Sequence, residues 1–166
     1  MPATIENSFG HGVGSETFPP VDLNGKLVTL EVSSSTTNPN KTPGQQISFS
    51  LIDFNSKITL RDVTFMITAH HGEKFLFEKE FKADNGFLVF NFLSEDTDKI
   101  TIDDQSSSNL FGSLLGLDSR KINVKGPKLS DGGLYKFDIK ILTAENYSNN
   151  LDPPLTFTSG ICNYIN

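Results

Sequence analysis

The sequence is poor in the residue types on which several classes of protein depend. It has one cysteine, no tryptophan and three histidines in 166 residues. The single cysteine, Cys162, excludes an internal disulfide and any zinc site built on several thiolates. Fourteen lysines and arginines stand against 20 acidic residues, for a formal net charge of -6. Because the basic residues are scattered and form no stripe, nucleic acid is not expected as a partner.

Long apolar runs are also missing. No run of about 18 apolar residues occurs, so we expect no membrane span in this chain. Residues 1–9 have neither the basic start nor the apolar stretch of a cleavable signal. Ser8 and Gly10 nevertheless occupy the third and first positions before His11, where small residues end a signal-cleavage site. We therefore expect a remnant of a signal-cleavage region up to residue 10.

What the sequence does contain is an alternation of apolar and polar residues, the period of a half-buried strand. We predict one all-β domain over residues 26–162, with an N-terminal arm over 1–25 and a tail over 163–166. The Asn85-Gly86 pair predicts a tight hairpin, since both residues tolerate positive φ. Five of the 14 phenylalanines are predicted to fill the space between two sheets: Phe49, Phe65, Phe77, Phe90 and Phe137.

One segment carries a resemblance to a known architecture. DGGLYKF, residues Asp131 to Phe137, resembles the D-x-G-x-Y-x-C segment that begins strand F of immunoglobulin-type sandwiches, with Phe137 in place of the cysteine. In those domains the tyrosine hydroxyl bonds to the backbone a few residues upstream. The resemblance implies an immunoglobulin-like antiparallel β-sandwich of roughly eight strands with one irregular insertion, and a buried Tyr135.

A broader resemblance concerns the compartment. The segments HGVGSETFPPVDLNGKLVTLEV, DVTFMIT, ITIDD and GGLYKFDIKILT are similar to secreted or cell-surface proteins of ammonia-oxidising archaea over residues 11–160. This resemblance implies an extracellular or cell-surface location and a protein or surface-layer partner, and it implies no particular activity. Asn40 and Asn146 begin candidate glycosylation motifs.

The three histidines are the candidate metal ligands. If the mature chain begins at His11, its free amine and imidazole chelate copper, and His70 or His71 completes a three-nitrogen site. Neighbours in an extended segment point to opposite faces, so only one of these two is expected to join. Copper carriers and the B subunit of ammonia monooxygenase are similar in using amino-terminal histidines on β-sandwiches. The alternative, which we prefer, is that no cofactor binds: His11 lies in a solvated arm, and His70 and His71 lie at a polar hairpin tip.

Two further groups of residues have competing interpretations. Leu110, Phe111, Leu114 and Leu115, in the insertion over 106–120, either form an interaction patch or cover an edge of the sandwich. Five carboxylates either bind Ca²⁺ or form a solvated edge that prevents sheet pairing, and their spacing, which is not that of an EF-hand, favours the edge: Glu95, Asp96, Asp98, Asp103 and Asp104.

No sequence pattern of a catalytic site is evident. There is no nucleophile elbow, no paired-histidine helix and no phosphate-binding glycine loop. We therefore expect a non-enzymatic extracellular or cell-surface module that acts as a structural spacer or binding domain. Binding is expected at loops, above all residues 143–154. The alternatives are a copper-handling protein and an accessory domain of a larger secreted enzyme.

Overall fold

The computed structural model describes residues 15–36, 44–105 and 120–163, which form two β-sheets packed face to face. The prediction of an all-β fold is confirmed, and the described residues include no helix that is long and apolar enough to cross a membrane. The strands are β1 (Ser15–Thr17), β2 (Val21–Leu23), β3 (Lys26–Thr36), β4 (Gly44–Asp53), β5 (Val63–His71), β6 (Lys74–Ala83), β7 (Phe87–Ser94), β8 (Thr101–Gln105), β9 (Arg120–Gly126), β10 (Gly133–Thr143) and β11 (Asn150–Asn163).

The larger sheet has the order β1-β3-β4-β7-β9-β8, and β2 pairs with β3 beside β1; the smaller sheet has the order β11-β10-β5-β6. Neighbouring strands are antiparallel except β7 and β9, which are parallel. Because of this pairing, four connections between strands lie at the same end of the sandwich, which we call the loop end: residues 24–25, 54–62, 84–86 and 144–149. The opposite end, the histidine end, carries residues 72–73, 95–100 and 127–132.

Phenylalanine rings fill the space between the sheets, as predicted. All five nominated residues are at most 5% exposed. Phe49 packs edge-on against both Phe90 and Phe137, with ring centroids 5.7 and 5.2 Å apart. Each buried ring contributes about 1.5–3 kcal/mol through removal of apolar surface from water. The phenylalanines therefore make up much of the contact between the two sheets.

The predicted corner at Tyr135 is present at the histidine end. Tyr135 is fully buried, and its hydroxyl donates a hydrogen bond to the carbonyl of Leu129, six positions upstream. The chain turns just before Leu129, where Lys128 has a φ of 57° and its carbonyl accepts the backbone N–H of Asp131 at 3.2 Å. The hydroxyl bond therefore ties the 127–132 connection to β10.

The predicted hairpin at Asn85-Gly86 is wrong. β6 and β7 belong to different sheets, so this turn carries the chain across the core. Gly86 has a φ of 70°, as turn chemistry requires, and a Cβ here would lie 1.9 Å from the carbonyl oxygen of Leu60. The strands on either side face one another through Phe81 and Phe90, whose ring centroids are 5.1 Å apart. β6 and β7 each have one apolar face. These faces bury more apolar surface when they face one another across the core than when the strands lie side by side in one sheet.

Eleven strands are present among the described residues; the additional ones are the short strands β1, β2 and β8. β1 and β2 lie at the edge of the larger sheet, within the segment that the sequence predicts to be the arm. Phe18, between them, is 3% exposed, and its ring meets Phe157 of the smaller sheet at 5.4 Å. The larger sheet therefore includes residues that precede residue 26.

Candidate functional site

His71 closes β5 at the histidine end and packs against the buried corner. Its ring stacks on that of Tyr135, with centroids 4.4 Å apart and planes 15° apart. Its Nε2 is buried and has no hydrogen-bond partner among the described residues, and a Cβ on Gly133 would lie 3.1 Å from this atom. Burial lowers the pKa of His71, and the charge of Asp131 opposes this in part. The site therefore favours the neutral imidazole.

His70 lies on the opposite face of the same strand. Its register partner on β10 is the exposed Lys136, whereas that of His71 is the buried Tyr135. The His70 ring meets the exposed Phe75 edge-on at 5.6 Å, and its Nδ1 is buried with no hydrogen-bond partner in the part of the chain that the structure describes. A single metal ion can therefore draw on only one of the two histidines.

The remaining candidate ligand, His11, lies outside the described residues. Within residues 15–36, 44–105 and 120–163, no three histidine, cysteine or carboxylate side chains are grouped as ligands for a metal. The described residues supply one imidazole to such a site, so a complete site depends on the arm.

The five acidic candidates are split between two places. Glu95, Asp96 and Asp98 precede β8 in an exposed or half-exposed turn at the histidine end. Asp103 and Asp104 lie on β8, which is the last strand of the larger sheet. Because Asp104 is engaged in a salt bridge to Arg120, it is not available as a free oxygen ligand.

Arg120 connects the two sheets at the loop end. Its guanidinium binds the Asp104 carboxylate through two nitrogens, with Nε 3.0 Å from Oδ1. A third nitrogen donates to the carbonyl oxygen of Lys82. Asp104 and Arg120 belong to the larger sheet and Lys82 to the smaller. The side chain therefore links the sheets where the 106–119 segment leaves and returns.

The loop between β10 and β11 is held in place by two long side chains. The Tyr147 hydroxyl donates to the Asp84 carboxylate, and the Lys82 ammonium lies 5.3 Å from the ring centroid. Burial, followed by the hydrogen bond to Asp84, raises the pKa of Tyr147. Glu145 forms a salt bridge with Lys26 at the start of β3. The loop is therefore tied to strands of both sheets.

Exposed apolar side chains also gather at the loop end. Ile58 is 67% exposed and Leu27 is 40% exposed. Between them in the chain, the Phe54 ring is half-buried beneath the Lys57 ammonium, at 4.1 Å. The loop end therefore exposes two large apolar side chains in connections that also carry paired charges, whereas Phe75, 55% exposed, lies at the histidine end.

The interaction residues nominated from the sequence have different outcomes. Leu110, Phe111, Leu114 and Leu115 lie outside the described residues, as does Asn40. Asn146 is exposed in the loop end, and its side chain accepts the backbone N–H of Ser148 at 2.9 Å. The strands that flank the insertion over 106–120 end and begin at the loop end, so the two surfaces nominated from the sequence meet the sandwich at the same end.

The sequence did not reveal the contacts that assemble this surface. Lys26 and Glu145 are 119 positions apart, and Tyr147 and Asp84 are 63 apart. No local pattern connects residues at such separations. The polar, turn-rich composition of residues 143–154 predicts a loop. It does not indicate which residues elsewhere in the chain contact that loop.

Comparison of the chain with protein-family models, curated proteins and solved structures found no match.

Proposed function

We propose that this protein is a non-enzymatic extracellular or cell-surface module that binds a protein partner through its loop end, or holds such a partner at a distance as a spacer. The observation that carries the proposal is the set of side chains that fix the loops: Arg120, Tyr147 and Glu145. Loops held in advance lose less conformational entropy on binding. A rigid sandwich with fixed loops is therefore suited to recognition.

The chemistry of the loop end favours a protein as the partner. Binding energy at protein interfaces is concentrated in a few apolar or aromatic side chains within a polar surround. Ile58 and Leu27 supply exposed apolar area, and the Lys26–Glu145 pair supplies charges of both signs. Because neither sign dominates, a polyanion or a charged lipid surface is a poorer match than a mixed protein surface, such as that of a surface layer.

We also infer that the sandwich is of the immunoglobulin type. The order β11-β10-β5-β6 corresponds to the G-F-C-C′ sheet of such domains, and β3-β4-β7 corresponds to A-B-E. The bond from Tyr135 to Leu129 has the form of their tyrosine corner. The parallel pairing of β7 with β9 departs from that pattern. This likeness, with the archaeal resemblance of the sequence, supports an extracellular location.

Lysine footprinting tests the binding surface. Cell envelopes of the source cells and the purified chain are treated with the same amine-reactive label. Lys26, Lys57 and Lys82 report on the loop end, while the exposed Lys74 and Lys128 at the histidine end are matched controls. Protection of the first three lysines alone is the result expected for a bound partner. Equal reactivity at both ends would leave the module a spacer, and protection of the histidine end alone would contradict the proposal.

Copper handling is the second candidate, and one observation favours it. Nδ1 of His70 and Nε2 of His71 are buried, and neither has a hydrogen-bond partner within residues 15–36, 44–105 and 120–163. Unpaired imidazole nitrogens are ligands for copper. Neutral imidazole, which burial favours at His71, is also the ligating form. In this candidate site His11 would supply the amino-terminal chelate and one strand histidine would supply the remaining nitrogen.

Cu²⁺ titration of a chain beginning at His11 tests this candidate. One equivalent should bind with nitrogen-rich ligation, visible by electron paramagnetic resonance, and His11→Ala should abolish binding. Separate His70→Ala and His71→Ala variants identify the strand ligand. Stoichiometric binding that survives the loss of His11 would overturn the amino-terminal chelate.

A further inference from the structure

β11 forms one edge of the smaller sheet, and much of it lacks the features that usually protect an edge. Its neighbour in the sheet is β10. From Leu155 to Ile161 it contains no charged residue and no proline. The outward-facing Thr156 and Thr158 are exposed and β-branched, as strand pairing favours. An edge of this kind presents a row of backbone groups that another strand can bind.

The other three edges are protected. β8 has five residues and carries Asp103 and Asp104 side by side. The edge formed by β1 and β2 is broken by Pro19 and Pro20, which donate no backbone hydrogen bond. β6 exposes five charged side chains along its length: Lys74, Glu78, Lys79, Glu80 and Lys82. The contrast marks β11 as the edge among the described strands that is open to pairing.

We propose that Phe157–Ile161 pairs with the same segment of a second copy of this chain, antiparallel across a two-fold axis. With Ser159 at the axis, Phe157 of one copy lies opposite Ile161 of the other on the inner side. On the outer side, Thr158 lies opposite Gly160. Apolar residues meet apolar residues, small residues meet small residues, and no like charges face one another. The two smaller sheets become one continuous sheet.

We propose a second copy of this chain as the partner of the β11 edge because the paired residues of the two segments match in size and polarity. The register of β11 on β10 holds the edge straight through this region, without a shift between Tyr135 and Ile141. Ser159 is held inward by its hydrogen bond to Glu16, at 3.0 Å. Each chain carries a net charge of -6, which opposes association at long range. Added salt screens this repulsion, so dimerisation should strengthen between low and moderate ionic strength.

Sedimentation equilibrium of the full chain tests the pairing. The expected species has twice the 18.3 kDa mass of one chain. Thr156→Lys/Thr158→Lys places the charges of a protected edge on the outer face and should weaken dimerisation at least about tenfold. Asn55→Lys/Ser148→Lys makes the same charge change at exposed loop positions. This control should dimerise as well as the natural sequence. Circular dichroism establishes that both variants keep their β structure.

Hydrogen exchange locates the interface. Backbone amides in 157–161 should exchange more slowly at protein concentrations that populate the dimer than in dilute solution, while amides of β6 should not change. A chain that remains monomeric at about 1 mM, which corresponds to roughly 4 kcal/mol of binding free energy, would overturn the proposal. A dimer that survives the edge lysines, or that leaves 157–161 unprotected, would also overturn it. These results do not depend on the loop end, so each proposal can fail separately.

Discussion

Removal of the Tyr135 hydroxyl is the sharpest perturbation of the fold. Its hydrogen-bond partner among the described residues is the Leu129 carbonyl, and both residues are at most 1% exposed, so water cannot replace the lost donor without rearrangement. An internal hydrogen bond contributes about 0.5–1.5 kcal/mol net, and a buried group left unsatisfied costs about 1–3 kcal/mol. Tyr135→Phe keeps the ring packing and removes the bond. We expect the free energy of unfolding to fall by about 1–3 kcal/mol.

Urea unfolding at neutral pH measures this loss, with the dependence on urea unchanged if the native and denatured states keep their compactness. Tyr147→Phe is the matched control, because its hydroxyl bonds to Asp84 at a partly exposed site. Its loss should cost less than about 1 kcal/mol. A loss below about 0.5 kcal/mol for Tyr135→Phe would refute the reasoning, since the buried bond would then contribute no more than a surface contact.

Alkaline pH provides a second test of the same site. Burial, followed by the charge of Asp131, raises the pKa of Tyr135 above its ordinary value of 10.0. The folded state therefore holds its phenol proton more tightly than the unfolded state, and stability is lost as pH rises above 10. The Phe variant lacks this contribution. The stability difference between the two proteins should therefore shrink above pH 10, and a constant difference would contradict a buried phenol.

Three further perturbations test the core, the histidine end and the crossing turn. Phe137→Ala should destabilise the protein by about 3–5 kcal/mol in urea unfolding, through lost burial and a cavity. Because burial lowers the pKa of His71, the folded state binds fewer protons than the unfolded state, and stability should fall as pH drops below 6.5. His71→Gln should flatten this dependence of the melting temperature on pH. An unchanged dependence would show that other groups cause it. Gly86→Ala should cost more than about 2 kcal/mol, since its Cβ would meet the Leu60 carbonyl. Gly72→Ala, with positive φ but open space, should cost about 1 kcal/mol, and equal losses would rule out the clash.

The features predicted correctly from the sequence are those encoded locally. Alternation identifies β10 from 11 consecutive residues, because each inward side chain must be apolar to reach the core. The corner at Tyr135 joins residues six positions apart, so a short motif is enough to indicate it. The phenylalanine core follows from the same alternation, repeated in several strands.

The features that were missed depend on the arrangement of whole sheets. Asn85-Gly86 has the chemistry of a tight turn whether its strands pair or face one another across the core, so sequence could not separate a hairpin from a crossing. β1 and β2 have three residues each, which is too short for a period to be seen. The contact between Lys26 and Glu145 exists only once β3 and β10 are placed in their sheets.

The proposed function depends on an extracellular or cell-surface location, and labelling of intact source cells measures that location. A membrane-impermeant amine reagent is applied before and after lysis, and modification of Lys74 and Lys128, which are exposed at the histidine end, is measured by mass spectrometry. An extracellular or cell-surface module predicts the same extent of modification in both samples. Modification that appears only after lysis would contradict the account.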